Sequence, residues 1–150
     1  MRQRVKEPDG TRTTGLTLTI TKESIVADNP FVHVELVTPD VQKSKDFYSA
    51  LFDWDLSDAQ GGTYTMIGVG EPEYGVGGGM LKTPAPGIPP HWMAYVGVAD
   101  VAASTEKAKS LGATVIKDIT PVEGYGKFSI ITDPNGAVLG LWQTLHTNGS

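Results

Sequence analysis

Two stretches sixty positions apart, "HVELVTPDVQKSKDFY" from His33 and "MAYVGVADVAASTEKA" from Met93, superpose without a gap. In each, an alternating apolar run gives way to an aspartate, Asp40 or Asp100, followed by Val41 or Val101 and a helical pattern. The aspartate fits the N-cap position, where its side-chain oxygen accepts from a free backbone N–H of the first turn. The far ends also correspond, "VGGGM" from Val76 lying against "VLGLW" from Val138. This is an internal repeat of strand, helix and three strands. Such a unit exposes one apolar sheet face and needs its twin to bury it.

Within the first unit "FVHVELV" reads as a strand with Phe31, His33, Glu35 and Val37 on one face. Val41, Ser44, Phe47, Tyr48 and Leu51 then recur at helical spacing up to Phe52, and "TYTMIGV" and "YGVGGGML" read as strands. The four prolines of "KTPAPGIPP" exclude a helix interior or a central strand, making residues 82–90 a connector. The second unit follows with strand "WMAYVGV", a helix from Asp100 closed by Gly112, strands "ATVIKDI" and "KFSIITD", and a "DPNG" turn into "AVLGLWQ". The units therefore span 31–81 and 91–144, with a tail at 145–150, in one compact domain. Residues 1–30 are polar except for "GLTLTITKESIV", whose alternation predicts an arm or edge strand packed on this body or on a partner.

Composition narrows the function classes. With 150 residues and no cysteine, the chain can form a core without disulfides, and thiolate chemistry and Cys-ligated zinc are excluded. A net charge of −5 with scattered lysines argues against a nucleic-acid partner, which needs a basic face. No apolar run approaches a membrane span and the N-terminus lacks a signal-peptide core, so the expected location is the cytoplasm.

At "HVELVTPDVQKSKDFYSALFDW", "YVGVADVAASTEKAKSLGATV" and "ITDPNGAVLGLWQ", covering residues 31 to 143, the sequence resembles the vicinal oxygen chelate superfamily. This is the glyoxalase, bleomycin-resistance and extradiol-dioxygenase group. The resemblance implies an α+β fold in which two βαβββ repeats form curved mixed sheets around a cup-shaped cavity. It also implies a homodimer. Metal-dependent members carry ligands on the first and last strand of each half. Here those positions fall on His33, Met93, Gly78 and Gly140, and only His33 suits a divalent ion. A thioether is a soft ligand and glycine has no side chain. One imidazole, or a His33–Glu35 pair, falls short of the three protein ligands of a catalytic site. The expectation is a site without metal or other cofactor.

The eight glycines of "GGTYTMIGVGEPEYGVGGGML", residues 61–81, raise a separate question. They do not lead into a helix N-terminus, as a phosphate cradle would, and Val76, Met80 and Leu81 punctuate them as in a strand. Gly78 and Gly140 are read as residues that widen the cup, with close backbone contact as the alternative. His33 is the candidate general base with Glu35 as its partner, or else a buried, hydrogen-bonded histidine. Tyr64, Met93, Tyr95, Phe128 and Trp142, with Gly78 and Gly140, are the candidate ligand-binding residues, while Trp92 points toward the helices. His91 and His146 read as surface residues, and Asp53, Asp55 and Asp58 as a solvated turn. Two functions follow: a metal-free protein binding a small, partly aromatic molecule, or a lyase, isomerase or epimerase using His33 as base. A metal-dependent glyoxalase or dioxygenase is a weaker third, lacking its ligands.

Overall fold

The computed structural model describes residues 28–70 and 75–145. The predicted strand in "GLTLTITKESIV", Glu71, Glu73 and His146 lie outside the described residues. In chain order the elements are β1 (Phe31–Thr38), α1 (Val41–Leu51), β2 (Asp55–Ala59), a 3-10 turn (Gln60–Gly62), β3 (Tyr64–Gly68) and β4 (Gly78–Lys82). The second unit repeats them as β5 (His91–Gly97), α2 (Val101–Ser110), β6 (Thr114–Val122), β7 (Gly126–Thr132) and β8 (Val138–Thr144).

The eight strands form one mixed sheet in the order β2-β3-β4-β1-β5-β8-β7-β6. Each unit supplies four neighbouring strands, and the units join where β1 and β5 pair antiparallel. The first strand of each unit runs parallel to its last, β1 with β4 and β5 with β8. The strand–helix–three-strand repeat is present in both halves.

Both helices start as their aspartates dictate. Asp40 Oδ1 accepts from the N–H of Lys43 and Asp100 Oδ1 from that of Ala103, each at 3.0 Å. Behind α2, Gly112 takes the left-handed conformation (φ 104°) that ends a helix cheaply only in glycine. Asp133 organises the "DPNG" turn by accepting from the backbone N–H of Asn135 and Ala137.

The helices cover one sheet face, over two separate cores. Leu36, Ile67 and Met80 pack with Val41, Tyr48, Trp54 and Leu56 beneath α1. Val98, Val101, Ile131 and Leu141 pack with Ala108, Val115 and Leu139 beneath α2. The two helices contribute unequally, since α2 buries Val101 and Thr105 whereas α1 buries no residue fully. Trp92 turns toward the α1 layer, its ring 5.6 Å from Tyr48 and 6.1 Å from Trp54.

One element departs from the sequence reading. Asp55 and Asp58 belong to the edge strand β2, paired antiparallel with β3, not to a solvated turn. Their charges suit that place because an edge strand exposed to water tolerates polar side chains that a central one does not. Asp58 is held by Lys45 at 3.1 Å and by the Thr65 hydroxyl at 3.1 Å. No helix among the described residues is long and apolar enough to cross a membrane.

Candidate functional site

Strand alternation assembles the site on the face opposite the helices. Along β1 this face carries His33, Glu35 and Val37, and the antiparallel register sets them beside Tyr95, Met93 and His91 of β5. Residues so paired point to the same side, so two rows of three alternate residues meet at the junction of the two units. Tyr64 enters from the start of β3. Phe128 and Trp142, cross-strand partners on β7 and β8, extend the surface into the second unit.

A hydrogen-bonded chain links four of these side chains. The Tyr64 hydroxyl donates to Glu35 Oε2 at 2.9 Å, and the Tyr95 hydroxyl donates to Glu35 Oε1 at 2.9 Å. His33 Nε2 lies 2.7 Å from Tyr64 Oη. With Glu35 ionised, the one hydroxyl proton of Tyr64 goes to the carboxylate and His33 donates Nε2–H to the Tyr64 oxygen. In the neutral ring Nδ1 is then the bare nitrogen. Burial favours this neutral form by pushing the His33 pKa down.

Burial acts on Glu35 in the opposite sense and raises its pKa, while the two tyrosine hydroxyls and the charge of His91 pull it back. Both phenols are pushed up, first by burial and then by the neighbouring Glu35 carboxylate, so they remain protonated donors. Aromatic contacts brace the chain. His33 stacks on Tyr64 and meets Tyr95 edge-on at 5.7 Å, and Tyr95 meets Phe128 edge-on at 6.0 Å. Met93 and Tyr95 are each only 5% exposed.

The arrangement corrects three sequence expectations. Glu35 does not partner His33 directly, because the Tyr64 hydroxyl stands between them. Gly78 is not the counterpart of Gly140. Sheet register sets Gly79 beside Glu35 and Gly140 beside Tyr95, and a Cβ on Gly78 would run into the Val34 carbonyl. The glycines also do not widen a cup. A Cβ on Gly79 would collide with the Tyr64 ring and one on Gly140 with the Tyr95 ring, so each gap is filled by the protein's own phenol.

His91 is a further residue of this face, half-buried, with Nδ1 2.8 Å from the Pro89 carbonyl. Its sequence position beside Pro90 suggested only a surface residue. The period-two relation to Met93 and Tyr95 was the available signal.

A family model described as the Glyoxalase/Bleomycin resistance protein/Dioxygenase superfamily matches residues 31–141. The chain belongs to this superfamily. Among its relatives, the "Putative glyoxylase CFP32" of Mycobacterium tuberculosis is 35% identical over 114 residues, 73% of this chain and 44% of that protein. The anthracycline biosynthesis protein DauV of a Streptomyces strain is 31% identical over 123 residues, covering 73% of this chain and 45% of that protein. The chain thus spans less than half the length of the curated relatives it matches. Among solved structures, methylmalonyl-CoA epimerase from Mycobacterium tuberculosis superposes with a TM-score of 0.60 at 12% identity, over 87% of this chain and 95% of that one. That likeness establishes the shared glyoxalase-like fold.

The superfamily's metal centre does not fit the residues of this face. Its ligand positions hold one imidazole, one thioether and glycines whose space is taken by phenol rings. His33 Nε2 is committed to Tyr64, and both Glu35 oxygens accept from tyrosines. No group of three or more His, Asp or Glu side chains is placed to hold a metal ion among the described residues.

Proposed function

We propose that this face binds a small, partly aromatic organic molecule without a metal ion. The observation that carries the reading is the juxtaposition of the His33–Tyr64–Glu35–Tyr95 chain with the apolar surfaces of Met93, Phe128 and Trp142. Binding sites for small molecules combine a mostly apolar lining with a few fixed polar groups, and this face has that make-up. The phenol rings that occupy the space at Gly79 and Gly140 support a metal-free mode. The anthracycline-biosynthesis name of the DauV relative supports a polycyclic aromatic class of ligand.

Calorimetric titration with planar aromatic compounds, run on protein dialysed against chelator, tests it. Saturable binding that survives metal removal and weakens in Phe128→Ala is expected. Binding that appears only after a divalent ion is restored would sink the metal-free reading.

A second reading is favoured by one specific feature, the bare Nδ1 of a neutral His33. This nitrogen is a base available to abstract a proton next to a carbonyl, in isomerase, epimerase or lyase chemistry. Tyr64, on the other ring nitrogen, would fix the tautomer and accept the developing positive charge's hydrogen bond. Exchange of deuterium from solvent into a bound carbonyl compound, lost in His33→Ala, would favour it over binding alone. We also propose association with a second copy of the chain, supported by the apolar surface that Phe47, Leu51 and Phe52 leave exposed on and just beyond α1.

A further inference from the structure

The donors and acceptors of the site, counted one by one, constrain the charge of what it binds. His33 contributes one proton, on Nε2, and gives it to Tyr64. Tyr64 and Tyr95 contribute one each, and both go to Glu35. Every proton of the chain therefore points along it toward one carboxylate. What remains for a visitor is acceptors only: spare lone pairs on Glu35 Oε1 and Oε2 and on Tyr95 Oη, and the bare His33 Nδ1. His91 adds no donor in its neutral form, since its Nδ1–H is directed at the Pro89 carbonyl.

Among the described residues the carboxylate has no lysine partner. The lysine ion pairs among the described residues are Lys45 with Asp58 and Lys109 with Glu106. Among the described residues the groups acting on Glu35 are Tyr64, Tyr95 and His91. Both hydrogen bonds to this half-buried anion come from neutral phenols, and among the described residues only the His91 charge opposes it, so a ligand cation hydrogen-bonded to the carboxylate would be its complement. The half-buried rings of Phe128 and Trp142 on the same face are compatible with such a cation, because aromatic faces attract positive charge.

We propose that the molecule bound on this face is a hydrogen-bond donor bearing positive charge, a planar aromatic carrying a protonated amine or amidine. This rests on the reading of the face as a small-molecule site and adds the chemistry that Glu35 selects.

Three dyes of one shape test it by calorimetry at neutral pH: an aminoacridinium cation, neutral acridine and acridine carboxylate. The cation is expected to bind at least about ten-fold tighter than the anion, the scale of one partly screened charge contact. Added sodium chloride should weaken the cation's binding. Glu35→Gln, which keeps the shape and removes the charge, should bring the cation and anion within about two-fold of one another. Equal or tighter binding of the anion, or an undiminished preference in Glu35→Gln, overturns the proposal while leaving the aromatic site standing. Failure of all three dyes to bind overturns the site and the proposal together. If Glu35→Gln loses its native circular dichroism, Tyr95→Phe carries the test. It deletes a donor to the carboxylate, so the preference for the cation should persist or grow, and its disappearance overturns the proposal.

Discussion

A methyl group at Gly140 would have to displace the Tyr95 ring, near the base of a side chain that is 5% exposed and fixed by Glu35 and Phe128. At Gly79 the obstacle is the outer end of Tyr64, which can swing away if it releases Glu35 and His33. Gly140→Ala should therefore cost more stability than Gly79→Ala, within the roughly 1–3 kcal/mol typical of overpacking, as read by urea denaturation. Equal costs would contradict the placement of the rings. Glu35 gives a second prediction at this scale. Its pKa is raised in the folded chain, so the folded state keeps a proton that the unfolded state has lost. Its contribution to stability falls as pH rises from the ordinary glutamate value through the raised one. His33 is lowered, and its contribution falls as pH drops through the interval beneath the ordinary histidine value. Denaturation midpoints against pH should show the first slope vanish in Glu35→Gln and the second remain.

The elements divide into a firmly seated helix and a loosely seated one. In α2, Thr105 donates to the Val101 carbonyl at 2.6 Å and lies 2.8 Å from the hydroxyl of Ser129, which is fully buried. Thr105→Val strands the Ser129 hydroxyl and should cost about 1–3 kcal/mol by denaturation. Because α1 buries no residue fully, its amides should exchange with deuterium faster than those of α2; the reverse order would contradict this packing. The elements were also the most legible part of the sequence. Asp40, Asp100 and the "DPNG" turn act locally, and the chemistry that marks them lies within a few residues. Gly78 was misassigned because a glycine run has no side-chain alternation to fix its phase, so a one-residue slip leaves no trace. Asp55 and Asp58 obscured β2 because charged side chains fit an exposed edge as readily as a turn. The cluster of Tyr64, Glu35 and Tyr95 was legible only as separate candidates. Their hydrogen bonds join strands far apart in the chain, and only the tertiary register reveals them.

At the scale of the molecule, the two units share a single sheet through β1 and β5, and the polar chain crosses that seam from Tyr64 and His33 of one unit to Tyr95 of the other. The helix side presents Phe47 at 57% and Leu51 at 55% exposure. If a second copy covers them, Leu51→Glu should lower the mass measured by light scattering to that of one chain; an unchanged mass would place the contact elsewhere. The pairing of glycine with tyrosine has a consequence for the history of such a site. The resemblance places glutamate ligands on the last strand of each half, and here Gly79 and Gly140 stand beneath phenol rings. A glutamate at either position would meet an occupied space, and shrinking the facing tyrosine alone would leave a hole and take one of two hydrogen bonds from Glu35. Each step is costly by itself, so the two positions act as a ratchet: a carboxylate enters this face readily only when the facing tyrosine shrinks at the same time.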